Sequence, residues 1–419
     1  MRRCAQVFEH GTLVVGDQGL TPRHFDALVK YNERHGGLFF GVGHKRLHFG
    51  SYVGLLQVGG LAIEILPKAE RGAEADKRKW RDALLAMLRR SGLLNVESAP
   101  EADLRLRRAP LVDLYLETFL REVEKLVHAS LARKYRVSEG NLHKLKGRIL
   151  FRQHISRNLL HKERIYTAHQ VYDRDNRFNQ ILKRALDIVA TLAVRPGLGA
   201  HARRLTLSFE DVSDSRIDAA SFERLVFDRS TERYRRAVQL AKLIILNYMP
   251  DLRGGSEQVL AILFDMNVLF ERFVLTQMKR AVGLFRDHNL RIEGQTRRPL
   301  WGTRGIRPDI EATLEEAGIQ KRVILDTKWK MPVNGIPSDD DLRQMFAYNV
   351  HFGGRRGVLL YPLASHGQAP IGHNFEPSRA VAPGFAHDCS TFYVDMFDVD
   401  QRLRKDIGAQ IIQQAVIHD

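Results

Sequence analysis

The chain has 419 residues, 65 Lys and Arg against 49 Asp and Glu, and a formal charge of +16, a balance that favours polyanionic partners. Its only two cysteines, Cys4 and Cys389, exclude a disulfide framework, a four-cysteine zinc site and a four-cysteine iron–sulfur cluster within one chain, and fit a reducing compartment. The N-terminus lacks the apolar core of a signal peptide. No apolar run approaches a membrane span, so a cytoplasmic protein without membrane contact is expected.

In chain order, residues 1–100 read as a small β-rich module. Gln6 to Val15 suggests a strand pair around Gly11. Thr21 to Arg34 suggests a helix, with Thr21 as cap, Pro22 in the first turn and Gly36-Gly37 as stop. Two apolar strands flank Gly59-Gly60 as a hairpin. Trp80 to Arg90 has helical periodicity, with Trp80, Leu84, Met87 and Leu88 on one face. Residues 101–250 read as mostly helical, including Phe178–Leu192 and Phe222–Tyr248. They are interrupted by the basic stretch Arg133–Arg164, where ten Lys and Arg face only Glu139 and Glu163. Such a stretch is either a solvated surface or a face for phosphate or a docking partner.

Pro250–Gly255 breaks the pattern and marks a boundary. Residues 251–419 then suggest an α/β domain with a central mixed sheet. A helix is expected over Val259–Val282, strands near Leu290–Ile292, Ile306–Leu314 and Lys321–Trp329, a helix over Asp339–Val350, and strands at Gly357–Tyr361 and Thr391–Phe397. The whole is an α+β, multidomain chain.

The chemistry concentrates in Arg307-Pro308-Asp309-Ile310 and, on the next strand, Asp326-Thr327-Lys328. Strand alternation puts Asp326 and Lys328 on one face and Leu325, Thr327 and Trp329 on the other. A hairpin turn near Glu315, Glu316 and Gly318 brings Asp309 beside Asp326. Two adjacent carboxylates call for a cation, and their hard oxygens suit Mg²⁺ or Mn²⁺. Asp309, Asp326 and the Thr327 main-chain carbonyl are the expected ligands, with Glu271 within reach as a further one. Lys328 is placed to orient water or neutralise a phosphate. Asp309, Asp326 and Lys328 form the expected catalytic set of a PD-(D/E)xK nuclease, a restriction-endonuclease-like fold, supported by Gln344 and Tyr348, which share a helix face. From Lys279 to Arg307 eight Lys and Arg oppose only Asp287 and Glu293, so Arg297, Arg298, Arg304 and Arg307 are expected to bind the DNA backbone. A Walker A loop, HExxH and GxSxG are all absent, and the 17 His are scattered.

Glu64-Ile65-Leu66-Pro67-Lys68, the run Asn141 to Arg148 and Asn179-Gln180-Ile181-Leu182-Lys183 occur in that order. Phe264 to Val274, the RPDI and LDTKWK strands and the QMFAYN helix follow. Together these resemble the McrC family, the nuclease subunit of McrBC 5-methylcytosine-dependent restriction. The resemblance implies a hexameric AAA+ GTPase of McrB type as partner, bound through the N-terminal half and stimulated by it, with GTP held by that partner. It also implies double-stranded, methylated DNA as substrate, and carries the nuclease triad to Asp309, Asp326 and Lys328. The rival functions are a non-catalytic activator of the AAA+ partner and a stand-alone repair nuclease.

Overall fold

The computed structural model describes residues 3–68, 76–94, 110–161, 163–192, 196–250, 257–316, 319–330, 332, 335–363, 372–375 and 386–417. The Pro250–Gly255 break, save Pro250, lies outside them, as do the turn residues 317 and 318. The chain is mixed α+β, with several separate sheets.

The N-terminal elements form where local signals agree. Thr21 caps the helix Pro22–Arg34 by accepting from the His24 N–H, and Gly36 and Gly37 take positive φ beyond its end. Tyr52–Val58 and Leu61–Leu66 pair antiparallel across Gly59-Gly60, with Gly59 at φ 49°. Arg3–Phe8 and Thr12–Val14 are both strands but do not pair with each other. The first runs parallel to Leu61–Leu66 and the second joins Arg46–Phe49 in another sheet. Gly11 therefore turns the chain between two sheets rather than within a hairpin.

Val259–Asp265 is a strand, not the first turns of a helix; the helix begins at Met266 and ends at Ala281. Asp265 caps it by accepting from the Asn267 N–H. The strand pairs along its length with Tyr52–Val58, so the five-stranded sheet of the first module takes in chain from beyond residue 250. A continuous six-residue apolar run suits burial on both faces of a sheet as well as burial in a helix, and the long-range partner decides.

The middle of the chain holds the helices Leu111–His128, Arg177–Leu192 and Arg235–Leu246. The span Phe222–Tyr248 is not one helix. A short helix ends at Glu223, and Asp228 then accepts from the main-chain N–H groups of Ser230 and Thr231, which turns the chain before the next helix starts. The basic stretch forms a three-stranded sheet, Lys134–Leu142, Ile165–Asp173 and Arg148–Ile149, beside the helix Phe151–Asn158. No helix among the described residues is long and apolar enough to cross a membrane.

A second, six-stranded sheet follows the order Arg291–Gly294, Ile310–Glu316, Ile319–Thr327, Arg356–Leu363, Asp388–Asp395, Gly372–Asn374. The first two pairings are antiparallel, the next two parallel. The helix Asp339–Phe352 makes the crossover between the parallel central strands. One hydrophobic core joins Trp80, Phe119 and Leu182 of the earlier elements to Phe270, Trp329 and Val358 of the later ones.

Candidate active site

The site sits where the six-stranded sheet changes from antiparallel to parallel pairing. Ile310 opposes Leu325 in the ladder, so Asp309 enters opposite Asp326. Asp309 lies just beyond the last ladder pair, which leaves its side chain free to accept from Thr327. The Thr327 N–H and hydroxyl both donate to Asp309 Oδ2, each at 2.8 Å. Strand alternation alone turns Thr327 away from the carboxylates; in the structure its hydroxyl instead reaches Asp309 and helps fix that carboxylate.

Asp326 is 2% exposed. Burial, and after it the negative charge of Asp309, push its carboxyl up to about 7, against the pull of Lys328. Lys328 Nζ lies 2.7 Å from Asp326 Oδ2, 3.3 Å from Asp341 Oδ1, and donates to Gln344 Oε1 at 2.8 Å. Burial alone would lower the Lys328 ammonium, but the two carboxylates outweigh it and hold it above its ordinary value. Gln344 Nε2 donates to the Tyr348 hydroxyl at 2.7 Å, and that hydroxyl donates to the Arg307 carbonyl at 2.9 Å. Lys328, Gln344 and Tyr348 thus form a chain that ends on the segment carrying Asp309.

Glu271, on the helix Met266–Ala281, accepts from Gln295 Nε2 at 2.6 Å. Burial first, and then Asp309, raise its carboxyl. Gln295 in turn donates its main-chain N–H to the Asp309 carbonyl at 3.0 Å. Glu271 therefore lies within the electrostatic reach of Asp309. Among the described residues no three His, Cys, Asp or Glu side chains are grouped to hold an ion by themselves. A divalent cation at this site would draw on two carboxylates and complete its shell with main-chain and water oxygens. The donor chemistry fits: a buried carboxylate raised by its carboxylate neighbour is relieved by a hard cation between them. Arg297, Arg304 and Arg307 are exposed and Arg298 half-buried, all on the segment that leads into Asp309.

A family model described as the McrBC 5-methylcytosine restriction system component matches residues 47–362. The chain belongs to that family. Among solved structures it is similar in fold to a chain of the refined half-complex from the tetradecameric assembly of Thermococcus gammatolerans McrB AAA+ hexamers with bound McrC. The TM-score is 0.67 at 20% identity, covering 99% of this chain and 100% of that one. A chain of the Thermococcus gammatolerans McrBC complex is similar over 67% of this chain and 88% of that one, with a TM-score of 0.50 and 22% identity. No match was found among curated proteins. The span matched by the McrBC family contains Asp309, Asp326, Lys328, Gln344 and Tyr348.

Three contributors escaped the expected set. Asp341 holds both Lys328 and Lys330, the latter at 2.6 Å. Its position three residues before Gln344 on the same helix was the available signal. Trp329 and Glu9 form the other unforeseen contact. The Trp329 Nε1–H donates to Glu9 Oε1 at 2.7 Å, and the Lys68 N–H donates to the same oxygen at 2.7 Å. Trp329 also meets Phe270 and Trp80 with ring centroids 5.1 and 6.1 Å apart. The residue after Lys328 is thereby tied to the first module, and nothing local in the sequence near Glu9 announces it.

Glu9 is 4% exposed, and burial foremost pushes its carboxyl from 4.5 up to about 7. A raised acid favours the protonated folded state. Its contribution is fully present below 4.5 and is lost as pH rises through 7, on the order of 3 kcal/mol in all. Glu9→Gln keeps the acceptor without the charge and is expected to match the parent near pH 4 and melt above it near pH 8. Glu9→Ala leaves the buried Trp329 indole N–H and the part-buried Lys68 N–H without this acceptor and is expected to cost about 1–3 kcal/mol. Thermal melts of the three proteins at both pH values check this; a parent that keeps pace with Glu9→Gln at pH 8 contradicts it.

Proposed function

We propose that this chain is the nuclease subunit of a modification-dependent restriction system. In this reading it is an Mg²⁺- or Mn²⁺-dependent endodeoxyribonuclease of PD-(D/E)xK type that works with a GTP-hydrolysing AAA+ partner. The observation that carries it is Asp309 opposite Asp326 on paired strands, with Lys328 bonded to Asp326 beside them. The antiparallel-to-parallel sheet with its crossover helix supports a restriction-endonuclease-like domain. Membership of the McrBC family supports the restriction role, and the likeness to a chain of McrB AAA+ hexamers with bound McrC supports a partner of that kind. The partner would hold the GTP, since this chain has no Walker A loop.

Asp309, Asp326 and the Thr327 carbonyl would hold the divalent cation, with Glu271 at its margin. Once bound, that cation supplies positive charge to the scissile phosphate and to the attacking water. Thr327 keeps the Asp309 carboxylate in place through two hydrogen bonds to one oxygen. Lys328, fixed by Asp326, Asp341 and Gln344, offers a preorganised ammonium to the phosphate as negative charge builds on it. Tyr348 and Gln344 steady that ammonium and the Arg307 main chain together. Arg297, Arg298, Arg304 and Arg307 would contact the DNA backbone, a sequence-independent and salt-sensitive interaction.

The test uses the full chain with an McrB-type AAA+ partner and methylated DNA. Asp309→Ala is expected to reduce cleavage by roughly three orders of magnitude or more while GTPase stimulation persists. Cutting at the parent rate by this variant would overturn the proposal and leave the activator role. Parent-level cutting without any AAA+ partner would favour the stand-alone nuclease.

A further inference from the structure

The segment 296–308 leaves the site and returns to it as a two-stranded hairpin. Its base is closed by the Gln295 N–H donating to the Asp309 carbonyl at 3.0 Å, so the hairpin springs from the residue just before the strand Ile310–Glu316. Arg298–Trp301 pairs antiparallel with Arg304–Ile306, with a bulge between Pro299 and Trp301 and Gly302 at φ 55° in the turn. The base is anchored. Ile306 packs with Met345, Tyr348 and Phe352, the Arg298 guanidinium stacks 4.3 Å from the Phe352 ring centroid, and the Pro299 carbonyl lies 2.8 Å from His351 Nε2.

The tip is a different environment. Trp301 is 77% exposed and Leu300 54%, whereas Trp80 and Trp329 are 0% and 8% exposed. The Arg297 guanidinium donates to the Thr303 carbonyl at 3.0 Å, which holds an exposed cation against the turn. Residues 295–308 contain four arginines and no acid. A large exposed indole beside the exposed Arg297 and Arg304, in a stretch without acidic residues, is complementary to a polyanion that also presents apolar ring surface. Double-stranded DNA has that chemistry, and side chains inserted in a groove between base steps use it.

We propose that the hairpin Arg298–Ile306 is a DNA-engaging element in which Trp301 wedges against bases in a groove of the duplex while Arg297 and Arg304 pair with flanking phosphates. This rests on the nuclease reading for its biological setting, but binding can be read without cleavage. Because the base of the hairpin is bonded to Asp309, engagement of Trp301 fixes which phosphate of the backbone reaches the carboxylates.

The test is equilibrium binding of the full chain to a fluorescein-labelled duplex of about 30 base pairs in EDTA, by anisotropy, with tryptophan emission followed in parallel. Parent protein is expected to show quenched emission on DNA addition. Trp301→Ala should lose that quenching and bind about tenfold more weakly, the scale of one lost base–aromatic contact, with the slope of log K against log salt unchanged. Trp301→Phe should stay within about threefold of the parent. Arg304→Ala should weaken binding and make the salt slope shallower by about one. Trp301→Ala that binds and quenches like the parent overturns the inference and leaves the indole to a protein partner. The two readings separate: if Asp309→Ala still cuts methylated DNA with the AAA+ partner and Mg²⁺, the nuclease reading fails while the hairpin result stands.

Discussion

A chain beginning at residue 250 is expected not to fold. Removing residues 1–249 strips the strand Val259–Asp265 of Tyr52–Val58 on one side and Tyr248–Met249 on the other. Val259, Leu260, Ala261 and Ile262 are each at most 1% exposed, and exposing the three large ones would cost about 1.5–3 kcal/mol apiece. The same cut removes Trp80 from the Trp329 and Phe397 rings and Glu9 from the Trp329 indole. It also removes Ser91, whose carbonyl accepts from Arg272 Nε at 3.1 Å, and Arg90, which donates to the Leu403 carbonyl at 3.0 Å. Together these losses match or exceed the roughly 5–15 kcal/mol by which a native domain is stable. Urea titration of the fragment, followed by near-ultraviolet circular dichroism, should show no cooperative transition. A sharp transition would mean that the later sheet holds a core of its own.

That expectation differs from the boundary the Pro250–Gly255 break suggests, and the reason shows how far sequence reaches. Elements whose signals are local were legible. Thr21 and Pro22 start a helix, Gly59-Gly60 turns a hairpin, and the pairing of Ile310–Glu316 with Ile319–Thr327 follows from alternation and a short turn. Pairings that depend on distant partners were not. Arg3–Phe8 lies beside Leu61–Leu66, and Val259–Asp265 beside a strand about 200 residues earlier. A break in helical periodicity marks a change of element, and it is silent on whether the next element crosses back into an earlier sheet. The candidate site divides the same way. Asp309, Asp326, Lys328, Gln344 and Tyr348 sit on or at the ends of three neighbouring elements whose spacing could be read. Glu9 reaches Trp329 only through the packing of the first module on the second sheet.

Lys328→Met is expected to act on both cleavage and stability, and the two effects should separate. Lys328 is the cation nearest Asp326, which is 2% exposed. Methionine keeps the length of the stem but leaves that buried carboxylate without its ammonium, a loss of about 3 kcal/mol. Asp341 retains Lys330 at 2.6 Å, so the disturbance centres on Asp326. Adding Asp326→Asn removes the uncompensated charge, and the double variant should recover most of the lost stability, a coupling visible as non-additivity in a double-mutant cycle. Cleavage should follow another course. Each single variant is expected to lose roughly three orders of magnitude or more, and the double variant no less, because in the proposed mechanism the ammonium and the carboxylate both act at the phosphate. Lys330→Ala is the control. That lysine is about half exposed, so its removal should cost under about 1 kcal/mol and leave cleavage within severalfold. Urea titrations and single-turnover cleavage of the four variants and the parent decide the matter. If Lys328→Met melts with the parent and still cuts, Lys328 is a surface partner of Asp341, and the assignment of the triad fails.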